Sequence, residues 1–246
     1  MKKVGALLLL GFCFSNIVFA SHGGPNHGYR DNFQSYNLGI NTLQPNWIPQ
    51  YPLFVEVMSE NNNKYVRLNS MSPIGGDRDL HIALNKTNII SLIPQNIDLQ
   101  WSFKVTDCNS TWKLVEGVTP QGANGYLYYH DPNNFVDAEF KIFANNSFCG
   151  SGNAQLSAFK RVNGISIPLI PYTTFPFLMN TTYAAKLSLK KLNSTHYNYT
   201  IYLNGDLLAN SLKVALSDVL DGPLLLENAG TKTNFDSVIV KTTSFN

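Results

Sequence analysis

Short runs in which apolar and polar residues alternate cover most of the chain, and residues that favour turns separate them. The clearest run is 98–106, in which Leu99, Trp101, Phe103 and Val105 alternate with polar side chains. Successive side chains of a strand point to opposite faces of its sheet, so a period of two predicts a strand with one buried face. Convincing helical periodicity is absent from the sequence, although residues 214–220 are compatible with one or two helical turns.

The segment 125–143 predicts a β-hairpin. Residues 126–129 are rich in tyrosine, which is typical of a half-buried strand, and residues 130–134 supply His, Asp, Pro and Asn for a turn. Beyond the turn, Asp137, Glu139 and Lys141 alternate with apolar residues. We therefore expect the carboxylates of Asp137 and Glu139 to share the polar face of one strand.

The remaining strands are predicted on the same grounds, and the dipeptides Asn163-Gly164 and Asn204-Gly205 indicate two further tight hairpins. The predicted fold is all-β, with one antiparallel β-sandwich spanning residues 29–246. The other predicted strands are 29–36, 53–58, 65–69, 111–116, 155–162, 165–170, 182–192, 197–203, 223–228 and 234–242.

Residues 1–20 have the pattern of a secretory signal peptide. Lys2 and Lys3 precede an apolar stretch at 6–18, and the small residue Ala20 fits the cleavage position. Residues 21–28 are interpreted as a flexible leader, and no other stretch is long and apolar enough to predict a transmembrane helix. The pattern predicts a secreted protein, or a periplasmic one if the source is a Gram-negative bacterium.

The charge of the exported portion argues against two classes of partner. The whole chain carries 18 basic and 16 acidic residues, and loss of the two leader lysines leaves 16 of each. A neutral chain without a basic run has little attraction for nucleic acid or for an anionic membrane. Neither partner is expected.

Two of the three cysteines lie outside the signal peptide, at Cys108 and Cys149. In an oxidising compartment they predict one disulfide, which would stabilise the fold by ~4 kcal/mol through its effect on the unfolded chain. Asn-x-Ser/Thr sequons are only slightly more numerous than chance predicts, so glycosylation stays open. They lie at Asn85, Asn109, Asn145, Asn180, Asn193 and Asn198.

Two kinds of candidate chemistry fall on the predicted strands. Asp137 and Glu139, ~6–7 Å apart on one strand face, suit the acid and the nucleophile or base of a glycosidase. Lys141 on the same face opposes the raised pKa that such an acid needs, so a solvated polar strand is the alternative. The second kind is a set of aromatic and amide side chains that could line a sugar-binding groove. Gln100 belongs to this set only if its strand lies next to the hairpin 125–143. The candidate ligand-binding residues are Tyr126, Tyr128, His130, Gln100 and Trp112, and Tyr199 and Tyr202 are also suitable.

Several motifs resemble those of the concanavalin A-like lectin/glucanase superfamily, with the laminin-G-like group closest in character. They are Asp31-Asn32-Phe33 with Trp47, the segment GYLYYHDPNNFVDAEF, the strand that leads to Asn204-Gly205, and a closing segment at 222–240. The resemblance implies a jelly roll of two curved antiparallel sheets, with first and last strands adjacent and ligand on the concave face. It also implies a possible structural calcium ion, for which Asp31 and Asp236 are the candidates.

The sequence departs from the enzymes of that superfamily. Of the laminarinase-like pattern E-x-D-x-x-E only Asp137-x-Glu139 is present, and the Arg, Gln-x-His and Tyr-x-Lys set of alginate lyases is missing. The leading hypothesis is therefore a carbohydrate-binding protein whose partner is a glycan or polysaccharide. The alternatives are a glycoside hydrolase or polysaccharide lyase that uses Asp137 and Glu139, and a structural or adhesion protein of a surface.

Overall fold

The strands of the protein form a β-sandwich. The structure is a computed structural model that describes residues 26–71, 79–85, 96–109, 121–144, 152–170, 173–215 and 224–243. Within these ranges the strands build two nine-stranded sheets, here named sheet A and sheet B, and all their pairings are antiparallel. The described residues contain no α-helix, and a short 3₁₀ turn spans Pro52–Phe54.

Sheet A contains the first and the last described strands. Strand β18 (Thr231–Thr243) lies at its centre, between β7 (Asn96–Cys108) and β5 (Asn63–Asn69), and β1 (Asn26–Asp31) also pairs with β18. In spatial order the strands are β16 (Asp206–Ala215), β15 (His196–Leu203), β14 (Thr182–Lys191), β7 (Asn96–Cys108), β18 (Thr231–Thr243), β5 (Asn63–Asn69), β4 (Val55–Glu60) and β2 (Gly39–Ile40), with β1 (Asn26–Asp31) against β18.

Sheet B contains the predicted central hairpin. In spatial order its strands are β12 (Ile165–Pro168), β11 (Phe159–Val162), β9 (Asn134–Ala144), β8 (Gln121–Asp131), β17 (Leu225–Ala229), β6 (Asp79–Leu84) and β3 (Trp47–Pro49). The strand β10 (Gly152–Ser157) pairs with β9 and with β13 (Thr173–Phe177).

The hydrophobic core lies between the two sheets. On β7 the predicted apolar face is fully buried, with Leu99, Trp101 and Phe103 each 1% exposed. Trp101 packs against Gly125 of β8 so closely that a Cβ atom on Gly125 would lie 2.5 Å from the indole ring. Real Cβ contacts are never this short, so a glycine at this position allows the large ring to fill the space between the sheets.

The structure confirms the prediction of an antiparallel sandwich and the adjacency of its first and last strands. Tyr29 lies opposite Val240 in the pairing of β1 with β18. The two Asn-Gly turns are also confirmed, because Asn163 and Asn204 each adopt a positive φ and each connects two paired strands.

The predicted boundaries of the first strand were wrong at both ends. β1 begins at Asn26, within the segment interpreted as a leader, and it ends at Asp31 rather than at Tyr36. The chain turns there because the Asp31 carboxylate accepts a hydrogen bond from the Phe33 amide at 2.8 Å, and Phe33 adopts a φ of 59°.

The helical turns considered for 214–220 were also wrong at their start, since β16 extends to Ala215 and includes Val214. The rest of that segment, the predicted strand 111–116 and the signal peptide lie outside the described residues. Among the described residues, no helix has the length and apolar character needed to cross a membrane.

The disulfide stays a prediction because Cys149 lies outside the described residues. The topology is compatible with it. Cys108 ends β7 opposite Thr231, directly after the turn between β17 and β18. At the same end of the sandwich, Ala229 lies opposite Gln121, and Gln121 lies opposite Lys141 of β9. The strand that precedes Cys149 therefore ends near the strand that ends in Cys108.

Candidate functional site

A row of polar residues crosses the outer face of sheet B, the face that points away from the core. Glu227 of β17 lies opposite Asn124 of β8 on one side and opposite His81 of β6 on the other. Directly after β3, the backbone amide of Gln50 donates to the carbonyl oxygen of His81 at 3.0 Å. Three neighbouring strand positions and the residue after β3 thus bring a carboxylate, two amide side chains and an imidazole into one line.

Alternation along each strand sets the face on which these residues lie. On β17, Leu224 and Leu226 belong to the core, so Glu227 points to the other side of the sheet. On β8, Ala123 belongs to the core, so Asn124 and Tyr126 face outward with Glu227. The same reasoning places His81 outward, because its neighbours on β6 are core residues.

The carboxylate of Glu227 is the centre of this row. Its Oε1 atom accepts a hydrogen bond from the Tyr126 hydroxyl at 2.6 Å and another from the Asn124 side-chain amide at 3.0 Å. Glu227 is 4% exposed, Tyr126 5% and Asn124 0%. A buried carboxylate is stable only when polar groups surround it, and here two neighbouring side chains hold it in a fixed orientation. We name Glu227, Tyr126 and Asn124 the Glu227 cluster.

Strand register places the predicted catalytic pair next to the Glu227 cluster. Asp137 of β9 lies opposite Tyr126, and Glu139 lies opposite Ser157 of β10. Ser157 is itself buried. The structure describes β9 at these positions by its backbone, so it gives the neighbourhood of Asp137 and Glu139 and leaves their catalytic role as a prediction.

The predicted ligand-binding residues do not all come together. Tyr126 belongs to the Glu227 cluster, and Tyr128 and His130 follow it on β8, but Trp112 lies outside the described residues. Gln100 lies on the outer face of sheet A, whereas Tyr126 lies on the outer face of sheet B. β7 and β8 are consecutive strands of different sheets, so Gln100 cannot complete a groove that contains Tyr126.

Two further expectations about tyrosines change in the structure. Tyr199 is fully buried in the core, while Tyr202, three residues later on β15, lies partly exposed on the outer face of sheet A. On β8 the register shifts between Tyr126 and Tyr128. An extra residue at this point breaks the alternation between Tyr126 and Tyr128, so strand spacing does not place these two residues on one face.

The contacts of Asp31 do not fit a calcium ligand. Its Oδ2 atom accepts hydrogen bonds from the Tyr29 hydroxyl at 2.8 Å, the Tyr36 hydroxyl at 2.6 Å and the Trp47 indole N–H at 2.9 Å, and its Oδ1 atom accepts from the Phe33 amide. Four donors surround this buried carboxylate, whereas a calcium site gathers several oxygen acceptors. Asp31 instead connects the first strand to the core.

The surroundings of Asp31 also affect its donors. Burial and the neighbouring carboxylate raise the pKa of the Tyr29 hydroxyl and of the Tyr36 hydroxyl well above the ordinary value of 10.0. Both groups therefore stay protonated and continue to donate. We name Asp31 with Tyr29, Tyr36 and Trp47 the Asp31 cluster.

The second calcium candidate, Asp236, lies in different surroundings. The Oδ1 atom of Asp236 accepts a hydrogen bond from the Asn63 side-chain amide at 3.0 Å. The residue lines a surface pocket of sheet A. Across the described ranges, no group of three or more His, Cys, Asp or Glu side chains is arranged to hold a metal ion. We derive no role for calcium from these residues.

Glu227 is the functional candidate that the sequence reasoning missed. The pattern of residues 223–228 predicts a strand, but it assigns no role to Glu227 within that strand. The signal was present, because Glu227 follows three consecutive leucines in a segment with the composition of a buried strand. A carboxylate in such a strand needs polar partners, which indicates a specific site.

No known protein family matches the sequence, and no curated protein matches it either. Solved structures do match in three dimensions. Alginate lyase Aly36B aligns with a TM-score of 0.60 at 8% identity, covering 89% of this chain and 98% of the lyase. A double mutant of that lyase in complex with alginate trisaccharide aligns with a TM-score of 0.57 at 10% identity, again covering 89% and 98%.

The carbohydrate recognition domain of Emp47p aligns with a TM-score of 0.51 at 8% identity, covering 85% of this chain and 94% of that domain. Identities this low carry the architecture and say nothing about individual site residues. The structural alignments, the paired first and last strands and the two antiparallel sheets together identify the fold. The chain has the concanavalin A-like jelly-roll fold.

Proposed function

We propose that the protein binds carbohydrate on the outer face of sheet B, with the Glu227 cluster at the base of the site. The observation that supports this most strongly is a carboxylate that is buried and hydrogen-bonded on the side of a sheet that faces away from the core. A protein that needed this face only for solubility would expose its charges to water. Burial of Glu227 against Tyr126 and Asn124 costs desolvation, and a small number of convergent polar groups is what fixes the orientation of a ligand in a binding site.

The chemistry of the cluster suits sugar hydroxyl groups. A carboxylate accepts hydrogen bonds, an amide can both donate and accept, and a tyrosine hydroxyl can do both beside its aromatic ring. Because Tyr126 and Asn124 hold Glu227 in one orientation, little side-chain entropy would be lost when a ligand binds. The polar row through His81 and Gln50 extends these groups across several strands, as a ligand longer than one sugar unit requires.

The structural neighbours are consistent with this class of ligand. One of the aligned lyase structures is in complex with alginate trisaccharide, and the aligned domain of Emp47p is a carbohydrate recognition domain. Those ligands belong to those proteins. The shared fold supports a carbohydrate as the class of partner, and the identity of the sugar is left to experiment.

Binding to a panel of polysaccharides and oligosaccharides tests the proposal. We expect Glu227→Gln to weaken binding at least tenfold, because the substitution removes the charge and keeps the shape. Asp206→Asn is the matched control, since Asp206 is an exposed carboxylate at the edge of sheet A. Equal binding by the wild-type protein and the Glu227→Gln protein would contradict the proposal, as would a wild-type protein that binds no glycan.

A polysaccharide-cleaving enzyme is the second candidate, supported by the register that sets Asp137 opposite Tyr126 and Glu139 opposite Ser157. Incubation with mixed polysaccharides distinguishes the reactions, because hydrolysis gives new reducing ends and elimination gives unsaturated uronates as well. Asp137→Asn and Glu139→Gln should each abolish product formation. Product that persists in both variants would exclude this pair.

We propose that the site operates outside the cytoplasm, on the basis of the signal-peptide pattern at 1–20. The intact mass of the protein recovered from its native source tests this directly. Cleavage after Ala20 gives a mature chain that begins at Ser21. A recovered chain that retains Lys2 and Lys3 would contradict export by this route.

A further inference from the structure

A trough crosses the outer face of sheet A, on the side of the sandwich opposite the Glu227 cluster. Its floor is one row of small residues on three adjacent strands, with Ala184 of β14 opposite Ser102 of β7, and Ser237 of β18 beside Ser102. The two serine hydroxyl oxygens are 3.1 Å apart. The cavity above this row has a volume of about 380 Å³.

A bulge in β18 creates the far end of this floor. The register with β7 shifts between Phe235 and Val238, so two residues of β18, Asp236 and Ser237, lie opposite one residue of β7. Both are partly exposed, whereas Phe235 and Val238 on either side are fully buried. A bulge of this kind re-aims a side chain, and here it turns the Ser237 hydroxyl to the outer face beside Ser102.

Larger side chains border the floor on one side, in the row in which Lys186 lies opposite Gln100, and Gln100 lies opposite Ile239. On the other side, the row in which Thr182 lies opposite Lys104 belongs to a neighbouring pocket that Asp236 also lines. The floor itself spans ~10 Å across three strands, which suits a ligand that lies across the strands.

The charged side chain that lines the trough already has a partner. The Lys186 ammonium lies 3.4 Å from the Asp98 carboxylate. In the neighbouring pocket the Lys104 ammonium lies 3.2 Å from the Glu60 carboxylate, and the Asp236 carboxylate accepts a hydrogen bond from the Asn63 amide at 3.0 Å. A free anion would have to compete with Asp98 for Lys186 and would approach the Asp236 carboxylate, so the trough favours an uncharged ligand.

The groups that face the trough are those that recognise a polyhydroxylated molecule. The Ser102 and Ser237 hydroxyls and the Gln100 amide can each donate and accept hydrogen bonds. Ala184 and Ile239 add apolar surface, which matches the C–H faces of a sugar ring. At the Lys186 end, the ammonium lies 4.9 Å from the centre of the Tyr202 ring, which adds a second contact to its pairing with Asp98.

We propose that this trough is a second binding site, for a neutral oligosaccharide. It is independent of the site proposed on sheet B, because the two sites lie on different sheets and share no residue. The protein would then hold glycan on both of its outer faces, and a single molecule could link two chains of a polysaccharide.

The test is a two-dimensional amide NMR titration of the wild-type protein with cellohexaose, laminarihexaose and mannohexaose, one at a time. We expect at least one of the three to shift the amide signals of Ala184, Ser102 and Ser237. The variant Ala184→Trp should weaken this response at least tenfold, because the indole would fill the floor. Ser166→Trp is the matched control, since Ser166 is exposed on the edge strand β12 of the other sheet.

The outcomes separate the two proposals. In the Glu227→Gln protein the trough signals should still shift, whether or not the sheet B site has failed. The proposal of a second site is wrong if none of the three probes shifts the trough signals at millimolar concentration. It is also wrong if Ala184→Trp, with an unchanged melting temperature, binds like wild type, or if an oligogalacturonate shifts these signals more strongly than the neutral probes.

Discussion

Within the described ranges, two buried carboxylates have tyrosine partners, and they lie in different sheets: Asp31 ends β1 of sheet A, and Glu227 lies on β17 of sheet B. Asp31 accepts hydrogen bonds from two tyrosine hydroxyls and an indole among residues that pack on the core. Glu227 accepts from one tyrosine hydroxyl and one amide on a face that points away from the core. Similar local chemistry therefore has two different consequences.

Burial alone therefore does not distinguish Asp31 from Glu227, for which we propose a role in binding. At Asp31 every partner is a donor, and the partners connect β1, the turn after it and β3. At Glu227 the partners belong to a polar row across sheet B, next to strand positions that carry further carboxylates. The direction of each carboxylate relative to the core and the chemistry of the neighbouring strands separate the two clusters.

The largest effect is expected for Asp31→Ala. This change leaves the Tyr29 and Tyr36 hydroxyls and the Trp47 N–H without their acceptor, so the free energy of unfolding should fall by about 4 kcal/mol. Urea denaturation measures it, with Asp206→Ala as an exposed control that changes the value by less than about 0.5 kcal/mol. A loss no larger than the control's would mean that the Asp31 cluster does not stabilise the fold.

Gly125→Ala should have the next largest effect. Gly125 lies between Asn124 and Tyr126 on β8, and the added methyl would press against the Trp101 ring, at a cost of about 3 kcal/mol in the free energy of unfolding. The control is Gly28→Ala, whose added Cβ atom would lie at an ordinary 3.5 Å from the Val240 oxygen. Equal melting temperatures for the two variants would contradict the packing of Trp101 on sheet B.

A matched pair of tyrosine variants compares the two clusters directly. Tyr36 and Tyr126 each donate to a buried carboxylate at 2.6 Å, so each change to Phe should lower the free energy of unfolding by about 2 kcal/mol. Only Tyr126→Phe should also weaken carbohydrate binding, measured by isothermal titration calorimetry. If Tyr36→Phe weakened binding to the same extent, the division between the two clusters would be wrong.

The smallest expected effect is a loss of stability at alkaline pH, caused by the tyrosines of the Asp31 cluster. Burial raises the pKa of Tyr29 and of Tyr36 above the unfolded value near 10.0, so the folded chain keeps protons that the unfolded chain loses. Stability from these groups is complete below pH 10 and is lost as the pH rises above it. Urea midpoints from about pH 8 to about pH 11 should therefore fall more steeply for wild type than for Tyr36→Phe. Parallel curves would contradict this assignment.

The sequence predicts much of the fold because the relevant signals are local. Alternation on β7 placed Leu99 and Trp101 in the core, and the Asn-Gly dipeptides located two hairpins, since each turn geometry favours specific residues. The pairing of the first and last strands came from the resemblance of several motifs in order. Alternation by itself says nothing about which strands become neighbours.

The site was harder to predict because it depends on non-local pairing. Gln100 and Tyr126 both lie on predicted strands with polar faces, and their separation into two sheets follows from pairing alone. The shift in register after Tyr126 breaks a parity that the sequence suggests is regular. Glu227 meets Asn124 and Tyr126 from about a hundred residues away. A carboxylate among leucines could nevertheless have marked it as a residue that needs partners.

The central position of β18 has a consequence for how the chain folds. β5 and β7 pair with β18 rather than with each other, and β1 pairs with β18 alone, so sheet A stays in three pieces until residues 231–243 arrive. Contacts this distant in sequence slow folding and leave strand edges uncovered for longer. We expect nascent chains that lack this segment to remain unfolded and to depend on chaperones.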